Sequence, residues 1–217
     1  MHRRRRTALA LSAALVAAGP LLAACGNEAH PGAAAVVGGE RIEVSELQSQ
    51  VEEARAAQAK APDATQQINN TGQLSRAKLD GMIFGRVLEK AAADAGITVS
   101  RKEVQDARAG AVRQAGGAKQ YADMLLQQRG LAPDQIDEAV RKDVLVTKLA
   151  AAMGADLGTP QGQQKVGAAL TKASQGLDID VNPRYGSWDD TKFQLGEYKA
   201  PWITQVTKEP DAVQAGA

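Results

Sequence analysis

The sequence predicts a mainly α protein: about six helices in a bundle, with a small β element from an N-terminal hairpin and a C-terminal strand. Three observations predict it. Apolar residues recur at helical spacing over six stretches, most of them opened by a capping residue or a proline and closed by glycine. Short apolar runs on either side of Gly38-Gly39 read as a tight hairpin. Leu177-Asp178-Ile179-Asp180-Val181 alternates apolar and acidic residues, the period of a strand.

The chain opens on an address. Arg3 to Arg6 form a positive cluster, and an uncharged apolar run from Ala8 to Ala24 follows, the layout of an export signal. The run ends Leu22-Ala23-Ala24-Cys25, which resembles the lipobox of a bacterial lipoprotein. That resemblance implies cleavage between Ala24 and Cys25 and a diacylglycerol on the Cys25 thiol. The expected organisation is a lipoprotein signal peptide over 1–24, a flexible tether over 25–33, a helical domain over 34–190, and an aromatic-containing, largely disordered tail over 191–217. An uncleaved transmembrane anchor competes for the first segment, because the apolar run is near the minimum spanning length. Cleavage removes four arginines and no acid, so the net charge falls from +1 to −3.

The first helix starts at Ser45, where Ser45 and Gln48 fit a capping box and Val44 a staple. Leu47, Val51, Ala54 and Ala57 share a face, and the helix fades near Pro62. Residues 62–73 are polar and read as a loop. The second helix, about Leu74 to Ala95, is the most apolar and therefore central, with Leu79, Met82, Ile83, Phe84, Val87 and Leu88 on more than one face. Gly96 is its C-cap. Ser100 and Glu103 form a capping box for the third helix, whose narrow stripe is Val104, Ala107, Ala111 and Val112, and Gly116-Gly117 ends it. The fourth runs from Ala118 to Gln128 with Tyr121, Met124 and Leu125 on one side, and stops at Gly130. The fifth carries Pro133 in its first turn, acids at its N-terminal end and Ile136, Val140, Val144 and Leu149 toward the core. After a break at Gly154 to Gly158, Thr159-Pro160 opens the sixth helix, with Val166, Ala169, Leu170 and Ala173, and Gly176 closes it.

Composition excludes several chemistries. One cysteine forms no internal disulfide and no thiolate metal cluster. The histidines are His2 and His30, and only His30, in the tether, survives cleavage. A balance of 26 basic and 25 acidic residues argues against a nucleic-acid binder. The sequence has no G-x-G-x-x-G, no P-loop and no G-x-S-x-G. Asp178/Asp180 and Asp189-Asp190 fit paired catalytic carboxylates less well than the solvent face of a strand or turn. No catalytic residue, metal ligand or cofactor is expected.

The order of elements, with Val36-Val37-Gly38-Gly39-Glu40-Arg41-Ile42 at one end and Val181-Asn182-Pro183-Arg184-Tyr185-Gly186-Ser187-Trp188 at the other, resembles the N-terminal chaperone domain of SurA and of related extracytoplasmic foldases such as PrsA and the trigger-factor-like group. The resemblance covers about 34 to 190. It implies that the last strand meets the first, with Ile179 and Val181 against Val36 and Val37, and that the helices form an apolar cradle. SurA-like foldases often carry a parvulin prolyl-isomerase domain, whose site uses paired histidines. Here only Gly154 to Gly158 separates the fifth and sixth helices, which argues against isomerase activity.

The expected function is that of a lipid-anchored, extracytoplasmic holdase, fixed to the membrane by its lipid. It binds unfolded or nascent exported polypeptides without catalysis, with no nucleic-acid partner and no small-molecule substrate. Met82, Phe84, Tyr121, Met124, Leu125, Tyr185 and Trp188 are the candidate client-binding residues, since methionine adapts to varied partners. Core packing competes for the methionine clusters and is the commoner fate of such residues. Tyr185 and Trp188 could equally cover the open end of the bundle. Two other functions remain as alternatives: a structural lipoprotein with one dedicated envelope partner, binding through the aromatic end from Tyr185 to Trp202, and a prolyl isomerase.

Overall fold

The computed structural model describes residues 32–61 and 71–198. The signal segment, Ala24, Cys25, His30, most of the tether, Trp202 and the tail from Lys199 lie outside the described residues. Among the described residues there are six α-helices and two small antiparallel sheets.

Strands β1 (Ala33–Val37) and β2 (Glu40–Glu43) form the expected hairpin. Gly38 and Gly39 sit at φ 61 and 79, the left-handed pair that a two-residue turn between twisted strands requires. Ala33 is fully buried in β1, so the tether ends sooner than its composition suggests. Helix α1 (Val44–Ala59) follows β2 without a break. The capping box at Ser45 is not formed. The N-cap is Glu43, with no side-chain bond, because the strand hands the chain directly to the helix and the Val44 amide already donates to Gly32 O at 2.7 Å. Ser45 is left inside the first turn, on the exposed side.

Helix α2 (Thr71–Asp94) begins earlier than expected, taking in Gly72 and part of the stretch read as loop. Its Leu79, Ile83, Val87 and Leu88 are completely buried, while Met82 and Phe84 are half-buried. It touches α1, β1 and β5 as well as the two late helices, which makes it the axis of the bundle. Gly96, at φ 68, and the bonds Gly96 N to Ala93 O and Ile97 N to Ala92 O make a Schellman end.

Helix α3 (Arg101–Gln114) carries the Ser100/Glu103 capping box in full. Lys148 also donates to Glu103 at 2.6 Å, and with the Ser100 backbone and hydroxyl this holds the Glu103 carboxyl down to about 2. The depressed value means that this contribution is present above the ordinary carboxylate range and is lost as pH falls toward 2. Ser100→Ala is expected to cost about 1 kcal/mol in a urea titration, the usual loss of a helix cap; an unchanged midpoint would contradict that role.

Helix α4 (Ala118–Arg129) stops at Gly130, φ 61. Pro133–Gln135 makes a 3-10 turn before α5 (Ile136–Ala152), so the proline opens a tighter turn than an α-helical one. Leu145 joins the expected Ile136, Val140 and Leu149 in the core, while Val144 is half-buried. In α6 (Pro160–Gln175) the Thr159 hydroxyl accepts from the Gly162 amide at 3.1 Å.

Strand β3 is only Asp180–Val181, not the whole alternating run. Asp178 adopts φ 46, which an aspartate tolerates and a continuing strand does not. Leu177 instead gives its carbonyl to the Gly38 amide. The expected closure of last strand on first is present, and the sheet order is β2-β1-β3. Its register differs from the expectation: Val181 pairs with Ala35 and Asp180 with Val36. Beyond residue 190 the fold continues, since β4 (Ser187–Asp189) pairs with β5 (Gln194–Gly196). The Asp80 carboxylate, pushed above its ordinary range by burial, accepts from Leu195 N at 2.6 Å, and Arg76 donates to Gly196 O at 3.0 Å. These two bonds fix the second hairpin to α2.

Three buried clusters result. One joins α2, α5 and α6 through Val87, Leu88, Leu145, Leu149, Val166 and Leu170. A second lies under the sheet, around Val37, Ile42, Leu47, Leu79, Ile83 and Val181. A third joins α3, α4 and α5 through Val104, Tyr121, Leu125, Ile136 and Val140.

Candidate functional site

Two clefts flank α5. The first encloses about 510 Å³ between α1, α2, the end of α4 and the beginning of α5. Its floor is the line Leu74, Lys78, Met82, spaced four residues apart on α2, with Ala77 and Phe84 beside it. Lys78 is only 6% exposed. Its ammonium donates to Gly130 O at 2.8 Å and to the Gln135 side-chain oxygen. Gln135 also accepts from Ala132 N and donates to Gln50 O at 2.9 Å and to Glu53 at 3.0 Å. One glutamine thus ties α1, α2 and the α4–α5 junction together. Burial lowers Lys78 to about 8, against the nearby Glu53 carboxylate, which raises it, and Lys142, which lowers it further.

Lys142 reaches across α2 to donate to Gly81 O at 2.9 Å. Burial lowers its pKa as well, opposed by Glu138 and Glu89. Gly85 makes room for that stem: a Cβ there would stand 2.8 Å from Lys142 Cε.

The second cleft, about 460 Å³, lies between α3 and α5. Ala107, Ala111, Val140 and Val144 line it with Tyr121. The Glu103–Lys148 pair, Asp106 and Asp143 contribute its charges. Asp143 borders both clefts.

The residues singled out from the sequence do not form one site. Met82 and Phe84 line the first cleft, and Tyr121 the second. Leu125 is buried and Met124 half-buried in the third cluster, where both serve packing. Tyr185 packs on the cluster beneath the sheet. Trp188 lies between the first two clusters and donates to Ser174 Oγ at 2.8 Å, while that hydroxyl donates to Asp190. Asp189 accepts from Thr191 and Lys192 in the β4–β5 turn, which holds its carboxyl well below the usual range. The aspartate pair therefore ties down the hairpin. Sequence reasoning missed Lys78, Gln135 and Lys142. The available signal was a lysine placed between Leu74 and Met82 in an otherwise apolar row. It also missed Val146 and Leu131 of the first cleft, which lie far apart in sequence.

Chemically, the clefts offer open apolar surface bordered by charge. Among the described residues, no group of three or more histidine, cysteine or acidic side chains could hold a metal ion. Among the same residues, no helix is long and apolar enough to cross a membrane.

Bundle, three-stranded closure and open clefts define a small, mainly helical domain. The chain belongs to the family of SurA-like N-terminal domains, whose model matches residues 5–150, from the arginine-rich start to the last turn of α5. Helix α6 and strands β3 to β5 lie beyond the matched stretch. No curated protein and no solved structure matches the chain.

Proposed function

We propose that the protein is a lipid-anchored holdase on the outer face of a bacterial membrane, binding unfolded exported polypeptides without catalysis. The carrying observation is the first cleft, where Met82 and Phe84 stay half-buried on the most buried helix of the bundle. Each packs on a core cluster with part of its side chain and borders the open cleft with the rest. Family membership supports the chaperone-like reading. The Arg3 to Arg6 cluster, the apolar run and Cys25 support export and lipidation, with Ala24 and Cys25 flanking the cleavage point. Anchoring raises the local concentration of the cleft where clients emerge. Isomerase activity is not part of the proposal, because α5 and α6 are joined by residues 153–159 alone. Tyr185 and Trp188 are engaged with the core, so among the described residues the dedicated-partner alternative rests chiefly on the exposed Tyr198.

The test is light scattering of two unrelated aggregating clients with residues 26–217 in excess. Suppression that persists at high salt is expected for an apolar cleft. Met82→Ser with Phe84→Ser should weaken it severalfold while circular dichroism stays helical. No suppression of either client by the parent protein would remove the proposal.

A further inference from the structure

The charges of the first cleft are unevenly placed. Its α1 wall carries Glu46 and Glu53, and the facing wall carries Asp134 on the 3-10 turn with Glu138 and Asp143 on α5. Between them lies the mainly apolar α2 floor. Three cations also line the cleft, and each is engaged. Arg129 pairs with Asp143 at 3.6 Å, Lys142 holds Gly81 O with Glu138 at 4.0 Å, and Lys78 is occupied by Gly130 O and Gln135. Five carboxylates against three cations leave the lining at about −2. Glu46 and Asp134, on opposite walls, form no ion pair or side-chain hydrogen bond among the described residues.

A cross-section of acid, apolar floor, acid selects its own ligand. We infer that the cleft prefers polypeptide segments in which an apolar or aromatic residue is flanked by lysine or arginine. The apolar residue sits on Met82, Phe84 and Leu74, and the flanking cations face Glu46 on one wall and Asp134 on the other. The same walls repel acidic segments, so discrimination comes from rejection as well as attraction. This inference rests on the holdase reading and names the class of segment it takes.

Three fluorescent peptides share one apolar centre and differ only in flanks: lysine, serine or glutamate. Their binding to the full chain in mild detergent is followed by anisotropy at about 0.05 M and about 0.5 M salt. The lysine peptide is expected to bind about tenfold tighter than the glutamate peptide at low salt, with the gap closing at high salt. Glu46→Gln with Asp134→Asn should narrow the gap severalfold and leave the serine peptide unchanged. Glu52→Gln, on the exposed side of α1 outside the cleft, should change nothing. Equal binding of all three peptides, or a gap that survives the double variant, overturns the charge preference while the holdase reading stands. Failure of every peptide to bind overturns both.

Discussion

Replacing Gly162 by alanine is expected to cost about 3 kcal/mol or more and to leave little folded protein. Gly162 is buried in the first turn of α6, beneath the chain that arrives from α5. A Cβ at this position would stand 2.7 Å from Asp156 N and closer still to that residue's carbonyl. The obstacle is backbone, so no rotamer change relieves it. Nor can Asp156 retreat at low cost, because its carbonyl accepts from both Thr159 N and Thr159 Oγ1. The same turn positions Thr159 as the cap of α6, so the clash would break the cap as well. Urea denaturation gives the measurement, with Gly167→Ala as control. Nothing lies within 4 Å of a Cβ at 167, and alanine there should stabilise the helix by about 0.5–1 kcal/mol. A Gly162→Ala protein within about 1 kcal/mol of the parent would show that the α5–α6 joint yields.

Lys78 should make stability rise with pH in a window where few proteins gain it. Its folded value is about 8, below the ordinary 10.5. Below about 8 both folded and unfolded chains hold the proton, and the full cost of burying the charge is present. Between about 8 and 10.5 the unfolded chain keeps a proton that the folded chain has released, so unfolding becomes harder as pH rises. At 1.36 kcal/mol per unit, the gain is about 3 kcal/mol, little screened at a side chain so enclosed. The neutral amine keeps two N–H donors, enough for Gly130 O and Gln135. The readout is the stability of the parent minus that of Lys78→Met at about pH 7, 9 and 10.5, which removes the shared titration of other lysines and tyrosines. A difference that stays flat across the three would mean that the ammonium is hydrated after all.

Where a residue's structural role is set by its chain neighbours, the sequence showed it plainly. Ser100 with Glu103, Thr159 before Pro160, Gly38-Gly39 and the stops at Gly96, Gly116-Gly117 and Gly130 all satisfy or free backbone groups within a few residues. Ser45 shows the limit of that logic. Its spacing to Gln48 is correct, but Gly32 had already taken the Val44 amide, and Gly32 sits outside the pattern. Strand pairing was legible as an order and illegible as a register: one residue of offset put Ala35, not Val36 or Val37, opposite Val181. The cleft was half legible. Met82 and Phe84 stand out locally, but what faces them from α1 and α5 is decided by packing between distant segments. Trp188 was equally open to either fate, and its bond to Ser174 is a tertiary fact.

The three-stranded sheet also sets an order of events. β1 is its middle strand, yet one neighbour is made at once and the other only near the far end of the domain. Asn182, just past β3, donates to Ala33 O across 149 residues of sequence. Helical contacts are local and form early, whereas this one must wait for the slowest loop to close. A chain made from its N-terminus therefore carries an open strand edge for most of its synthesis. The domain is a clasp whose catch is made last. Stopped before residue 180, it would have every described helix and still offer Ala33–Val37 to any strand that came near.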